Sequence, residues 1–186
     1  MASARRTFSA RRARREAEPV GDLAFDWPAL ESEPLCVADF LVDGAIMPLG
    51  ASPWTSRRVG YVTGGRFVGP RLAGEILPGG GNWSTTGEIA PGQVAGTFDA
   101  RVIWKTGDGA IIYVTYTGRS VVSETVSAAF RDPARADQVP FSDYYIRIAP
   151  VFETADTRYA WLNGVLAVGC GHRTSTGIRH SIFAIR

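Results

Sequence analysis

Charged side chains interrupt two alternating segments of this sequence, where they could carry out acid–base chemistry. Residues two apart on a strand share a face, so Asp99 lies beside Arg101 and Tyr145 beside Arg147. A carboxylate can act as a general base or acid. A guanidinium can hold a carboxylate, enolate or phenolate through paired hydrogen bonds. The candidate catalytic residues are therefore Asp99, Arg101, Tyr145 and Arg147.

Aromatic and amide side chains elsewhere could bind the rest of a small molecule. The hydroxyl of a tyrosine can donate a hydrogen bond to a developing oxyanion, and the indole of a tryptophan provides a flat wall for a ring. Glu153 either caps a turn or supplies a second acid. The candidate ligand-binding residues are Asn82, Trp83, Tyr113, Glu153, Trp161 and Asn163. The sequence has no metal-ligand spacing and no phosphate loop, so we expect no metal and no cofactor.

The polar faces of these segments have two interpretations. In the first, Asp99 and Arg101 form a surface ion pair worth roughly 0–1 kcal/mol, and the opposite face, with Val102 and Trp104, fills a core. In the second, the polar faces line a barrel interior, and a helix, the terminal arm or a neighbouring subunit covers the apolar faces. Exposed apolar faces of this kind would favour a homodimer or higher homo-oligomer.

Glycines and prolines interrupt the alternating pattern between positions 64 and 83, which contain seven glycines and two prolines. Glycine permits a positive φ and close backbone approach, whereas proline ends a strand or opens a turn. The pattern predicts two short strands that meet at sharp corners, followed by a turn that presents Asn82 and Trp83.

Six motifs follow one another in this part of the chain, and they resemble a known family. They are GGRFVGPRLAGEILPGG at 64–80, NW at 82–83, FDAR at 98–101, DGAIIYVTYTG at 108–118, YYIRIAPVFET at 144–154 and YAWLNGVLAVGCG at 159–171. Their order and spacing, over roughly 34–186, resemble the bacterial and fungal family catalogued as domain of unknown function (DUF) 3237, or uncharacterised protein family 0311. The family's turn usually ends Gly-Ala-Asp-Trp, and Asn82 stands here in place of that aspartate, so any acid–base role of that carboxylate would be lost.

The resemblance implies a closed calycin-like antiparallel β-barrel, an all-β fold that can hold one small ligand. It favours the interior position of the polar faces, because they lie within its motifs. Alternation predicts strands at 36–42, 56–63, 66–77, 93–105, 110–118, 144–152, 159–169 and 177–185, and helical spacing predicts one short helix at 123–130 with Ser123 as its N-cap. On the strand 159–169, Trp161 and Asn163 share a face.

Composition indicates a single domain at 34–186, preceded by a flexible Arg-rich arm and lead-in at 1–33. The chain has 186 residues, of which 45% are hydrophobic, and its 21 glycines and 11 prolines favour a turn-rich β architecture. Six arginines and two glutamates give residues 1–20 a charge of +4, so the remainder carries −2. A basic arm can bind nucleic acid or an anionic membrane, but we expect a solvated terminus and no nucleic-acid partner.

No apolar run approaches the roughly 20 residues that a membrane-spanning helix needs. No apolar segment follows the first arginines, so we expect neither secretion nor a membrane span, and a cytoplasmic protein. Cys36 and Cys170 are expected to be reduced thiols in apolar surroundings. His172 and His180 are expected to be structural.

These features favour a cofactor-independent enzyme of the lyase, isomerase or cyclase type, which transfers protons on an apolar or aromatic carbonyl compound. The first alternative is a small-molecule-binding barrel without chemistry, a carrier or sensor. The second is a structural or interaction module in which the arginine arm binds a partner.

Overall fold

The computed structural model describes residues 28–44 and 46–186, which form ten strands, one α-helix and three short 3-10 helices. The helix α1 is Glu124–Phe130, and the 3-10 helices are Ala136–Gln138, Phe141–Asp143 and Ala160–Gly164. The strands are β1 (Ser32–Val42), β2 (Met47–Ala51), β3 (Ser56–Val68), β4 (Ala73–Ile76), β5 (Gly81–Ala90), β6 (Gln93–Thr106), β7 (Ile111–Ser123), β8 (Tyr145–Glu153), β9 (Ala167–Thr174) and β10 (Gly177–Ile185). The first 27 residues, which include most of the predicted basic arm, lie outside the described residues.

The strands close into an antiparallel barrel. The order β1-β10-β9-β8-β7-β6-β4-β3 returns to its start, because β1 also pairs with β3. β4 and β5 each pair with both β3 and β6, so together they occupy a single position in the wall. β2 pairs with β3 outside this ring. The wall therefore has eight strand positions. An interior of this size is just wide enough for side chains or one small ligand. The predicted calycin-like antiparallel barrel with one short helix is therefore confirmed.

Apolar side chains pack the interior of the barrel. Trp104 is fully buried and stacks on Phe67, with 4.4 Å between ring centroids. Phe40 and Phe152 approach the same indole at 6.5 and 5.9 Å. Burial of a large apolar side chain contributes about 1.5–3 kcal/mol, so these rings are a main source of the barrel's stability.

The helix α1 lies at the end of the barrel where β7 finishes. The predicted N-cap is confirmed, since Ser123 Oγ accepts a hydrogen bond from the Val126 backbone N–H at 3.2 Å. Val126 then packs with Val122, Tyr144 and Ile146 in a second, smaller apolar cluster. None of the helices in the described part of the chain is long and apolar enough to cross a membrane.

Three strand predictions need correction. The predicted strands 56–63 and 66–77 are divided differently, into the long strand β3 and the short strand β4. β3 continues through Gly65 because a glycine fits there: a Cβ would lie 2.2 Å from the Asp39 carbonyl oxygen. The predicted strand 159–169 begins instead as the 3-10 helix Ala160–Gly164, and β9 starts only at Ala167. β2 and β5 were not predicted, and Asn82 and Trp83 lie in β5 rather than in the predicted turn.

Candidate functional site

Asp99 and Arg101 lie on the outside of the barrel, so the predicted interior position is wrong. Ala100 and Val102, on the opposite face of β6, are each only 1% exposed, whereas the Asp99 and Arg101 side chains keep 48% and 53% exposure. The two form an ion pair of 3.0 Å at the surface. The physical reason is that desolvating charges is costly, while the apolar face of the same strand fills the narrow interior.

The strand register brings most of the predicted residues to one outer surface. Arg101 pairs with Thr115 and Thr115 with Val151, while Tyr113 pairs with Glu153. Alternation places all of these side chains opposite the buried ones. We call this surface the β6–β8 outer face; it comprises Asp99, Arg101, Tyr113, Thr115, Tyr145, Arg147, Val151 and Glu153.

A groove of about 370 Å³ lies at one end of the β6–β8 outer face. Ligand sites in proteins commonly have volumes of about 300–1,000 Å³, so the groove could hold a small molecule. It is open to solvent, and Tyr113 and Val151 are 36% and 52% exposed. Its lining residues are Tyr113, Thr115, Val151, Phe152, Glu153, Thr154 and Asn163.

Asn163 lines the groove and is held by two hydrogen bonds. Its Oδ1 accepts from the Thr154 backbone N–H at 2.9 Å, and its Nδ2 donates to the Thr154 carbonyl at 2.9 Å. Thr154 Oγ1 in turn donates to the Ile111 carbonyl at 2.7 Å. Because its amide is used in this way, Asn163 positions the chain after β8 more than it orients a ligand carbonyl.

Tyr145 and Arg147 share the outer face but lie away from the groove. The Arg147 guanidinium stacks over the Tyr145 ring at 4.7 Å, and its Nη1 donates to the Ile146 carbonyl at 2.8 Å. Arg147 is six residues from Glu153 along β8, a separation of about 20 Å. These two predicted catalytic residues therefore cannot act on a ligand held by Glu153.

Three other predicted ligand-binding residues do not line the groove. Asn82 Oδ1 accepts from the Asp99 backbone N–H at 3.0 Å, so the amide that replaces the family's aspartate has a structural contact here. The Trp83 carbonyl accepts from Arg57 Nη1 at 3.2 Å. Trp161 lies on the 3-10 helix Ala160–Gly164, with the Arg71 guanidinium 3.8 Å over its ring.

Four groove residues were not predicted from the sequence, namely Thr115, Val151, Phe152 and Thr154. The signal was present, because Thr115 is two residues after Tyr113 and Val151 is two before Glu153. Alternation alone would have placed both pairs on the same face.

The two histidines have different surroundings. His180 is 1% exposed between Phe40 and Tyr116, and neither ring nitrogen has a hydrogen-bond partner in the described residues. Burial lowers the pKa of His180 to about 3, so its ring is neutral. His172 Nδ1 and the Tyr144 hydroxyl form a hydrogen bond of 2.9 Å.

Both cysteines are free thiols, and only one is fully buried. Burial raises the pKa of the Cys36 thiol to about 12, while Cys170 is half-buried. Across residues 28–44 and 46–186, no three His, Cys, Asp or Glu side chains are grouped so that they could hold a metal ion.

Comparisons with known proteins assign this barrel to a family. The family model described as a protein of unknown function (DUF3237) matches residues 31–185. A UPF0311 protein of Rhodopseudomonas palustris is 30% identical over 117 residues, which cover 63% of this chain and 72% of that protein.

Solved structures share the same architecture. A β-barrel-like protein from Acinetobacter baumannii AYE is 28% identical, with a TM-score of 0.69 over 87% of this chain and 99% of its own. An enzyme from Penicillium herquei is 24% identical, with a TM-score of 0.60 over 87% of this chain and 99% of its own. The match to the family model over nearly all of the described residues shows that the chain belongs to the DUF3237 family.

Proposed function

We propose that the protein binds a small carbonyl compound in the groove of the β6–β8 outer face and catalyses cofactor-independent proton transfer on it. The observation that supports this function is the direct cross-strand pairing of Tyr113 with Glu153 at the groove. Such neighbours have Cβ atoms about 4.5–5.5 Å apart. A phenol and a carboxylate can therefore contact one bound ligand together.

The chemistry would use Glu153 as the base. Its carboxylate takes a proton from the carbon next to the ligand carbonyl, and the Tyr113 hydroxyl donates a hydrogen bond to the oxygen that becomes negative. Return of the proton to a different carbon gives an isomerisation, and departure of a neighbouring group gives an elimination. Arg101, which pairs with Thr115 one row away, can hold a second anionic group of the ligand.

The barrel architecture is compatible with catalysis, since one solved relative of the same fold is described as an enzyme. At 24% identity that likeness concerns the fold alone, so the proposal depends on the groove residues of this chain.

Hydrogen exchange tests the proposal without a known substrate. The full chain is incubated in D2O with a panel of aromatic and alicyclic ketones and keto acids, and deuterium incorporation is followed by NMR. We expect exchange on at least one compound, with a loss of about 100-fold in Glu153→Gln and a smaller loss in Tyr113→Phe. Glu75→Gln is the matched control, because Glu75 pairs with Lys105 outside the groove. Exchange that is undiminished in Glu153→Gln would contradict the assigned base.

A non-catalytic binding barrel is the second candidate, and the openness of the groove favours it. Water that reaches the Tyr113 hydroxyl screens charge and weakens oxyanion stabilisation. In that case the compounds that shift the NMR signals of groove residues would be recovered without deuterium.

The proposal of a homo-oligomer can no longer rest on exposed Val102 and Trp104 side chains, as it did in the sequence analysis. Val102 and Trp104 are buried inside the barrel, so they need no cover from a partner. Exposed apolar side chains do occur on the outer surface, at Val37, Val68, Val151 and Val168. Sedimentation of the full chain at micromolar concentration tests assembly, and a single monomeric species would contradict it.

A further inference from the structure

Arginine side chains gather at the α1 end of the barrel. Arg58 in β3 pairs with Ser84, and two residues further along β3 Gly60 pairs with Asn82. Asn82 also pairs with Ala100, whose side chain is in the core. By alternation, Arg58 therefore lies on the inner side of β3, at the rim of the barrel.

Arg173 reaches the same rim from the opposite wall. It pairs with Ile178 of β10, which packs against both apolar clusters, so Arg173 is also on the inner side. Its Nη1 donates to the Gly177 carbonyl at 2.8 Å, which fixes the guanidinium near the turn between β9 and β10.

Arg131 completes the group from α1. It is the C-cap residue of the helix, and its Nη1 donates to Ser127 Oγ at 3.2 Å. The pKa of Arg58 is lowered mainly by partial burial and, to a smaller extent, by repulsion from Arg131. The pKa of Arg173 is lowered mainly by partial burial and, to a smaller extent, by repulsion from Arg58. Arg58 therefore lies at the centre of the group, with Arg131 on one side and Arg173 on the other.

In the described part of the chain, this group forms no ion pair with a carboxylate. Within the described residues, no Asp or Glu oxygen lies within 4.0 Å of the Arg58, Arg131 or Arg173 guanidinium nitrogens. Other basic side chains of the barrel do have carboxylate partners, namely Arg101, Lys105, Arg158, Arg179 and Arg186. Two partly desolvated positive charges, Arg58 and Arg173, with the exposed Arg131 beside Arg58, destabilise the empty protein and attract an anion.

We propose that Arg58, Arg131 and Arg173, which we call the arginine rim, bind the carboxylate or phosphate group of a small molecule. Guanidinium groups bind both oxyanions through paired hydrogen bonds. The rim is distinct from the proposed groove: Tyr113 lies near the start of β7 and α1 begins after its end, about 30 Å away along the strand. The inference does not depend on the proposed catalytic function.

Calorimetric titration of the full chain with inorganic phosphate and with benzoate, at constant ionic strength, tests the rim. We expect at least one of them to bind, and Arg58→Gln and Arg173→Gln each to weaken that binding at least tenfold. Arg119→Gln is the matched control, because Arg119 lies on the outer face and its Nη1 donates to its neighbour's carbonyl, Gly118 O, at 2.8 Å. Tighter binding of phosphate or of benzoate identifies which oxyanion the rim prefers, and either result supports the proposal.

The melting temperature of the variants provides a second measurement, which does not depend on the choice of anion. Removal of one repelling charge should raise the melting temperature of Arg58→Gln and Arg173→Gln in anion-free buffer, whereas Arg119→Gln should not change it. Failure of both anions to bind, together with unchanged melting temperatures in the rim variants, would overturn the proposal. Binding that appears only when Glu16, Glu18, Asp22 and Asp26 are neutralised in the full chain would overturn it too, because the rim would then hold the chain's own acidic segment.

Discussion

Trp104 and Phe67 stack inside the barrel with 4.4 Å between their ring centroids and 17° between their planes. Apolar rings thus occupy the interior, where the family resemblance had favoured polar ligand-binding groups. The indole of Trp104 has no exposed surface, so replacing it with a small side chain tests how much its packing stabilises the protein.

Trp104→Ala should destabilise the protein by about 3–5 kcal/mol, because it removes a large buried side chain and leaves a cavity among aromatic neighbours. Urea unfolding followed by circular dichroism measures the change. Trp54→Ala is the matched control, because Trp54 is 91% exposed, and it should change stability by less than about 0.5 kcal/mol. Similar losses in the two variants would contradict the packed interior.

His180 should make the protein sensitive to mild acid. Its folded pKa, about 3, is lower than its ordinary value of 6.5, because burial disfavours the charged ring. The unfolded chain therefore binds more protons between these values, and stability should fall by roughly 1 kcal/mol per pH unit as pH decreases from 6.5 towards 3.

Urea unfolding at several pH values, in the wild type and in His180→Leu, measures this contribution. The variant should lose most of the dependence between pH 6 and pH 4. His172→Gln is the control, because it removes the other histidine and leaves the buried ring intact. A wild-type slope that persists in His180→Leu would mean that other groups cause the acid sensitivity.

Gly65→Ala should destabilise β3 by about 2 kcal/mol or more. Gly65 has a φ of 149°, and a Cβ there would lie 2.2 Å from the Asp39 carbonyl oxygen in β1. Gly87→Ala is the control, because a Cβ at Gly87 meets no atom within 4 Å. Thermal unfolding compares the two, and an equal melting temperature for both variants would contradict the close approach of β1 to β3.

Arg158 should control the ionisation of Asp156. Hydrogen bonds from Arg158 lower the pKa of Asp156 to about 2, and the Nη2–Oδ2 distance is 2.6 Å. In Arg158→Gln the Asp156 pKa should rise towards its ordinary value of 3.8, measured by NMR titration of the carboxyl carbon. Any stability from this pair is present above pH 4 and is lost as pH falls towards 2. Arg179→Gln, which affects the separate pair with Asp39, should leave the Asp156 pKa unchanged.

The strands β6 and β7 were predicted well from the sequence because strand alternation and turn residues indicated the same hairpin. Alternation over 93–105 and the turn residues Thr106-Gly107-Asp108-Gly109 together predict a hairpin, and β6 and β7 form it. Family resemblance then supplied the closed barrel, which local patterns alone leave open between barrel and sandwich.

The position of the candidate site could not be predicted in the same way. Alternation shows that Asp99 and Arg101 share a face, but which face is inside depends on how the whole sheet curves and closes. The 3-10 helix around Asn163 was missed for a similar reason, since its geometry depends on hydrogen bonds to Thr154, nine residues earlier in the chain. Contacts between residues separated by more than one helical turn or strand repeat leave no local periodic signal.

The pairing of β1 with both β10 and β3 has a consequence for biosynthesis. Ser32 pairs with Ile185 and Val37 with Val68, so the ring cannot close before the ribosome has released β10. Until then β1 and β9 each present an unpaired strand edge, which is a template for intermolecular association. Nascent chains that stall within β10 should therefore depend on chaperones more than the finished barrel does.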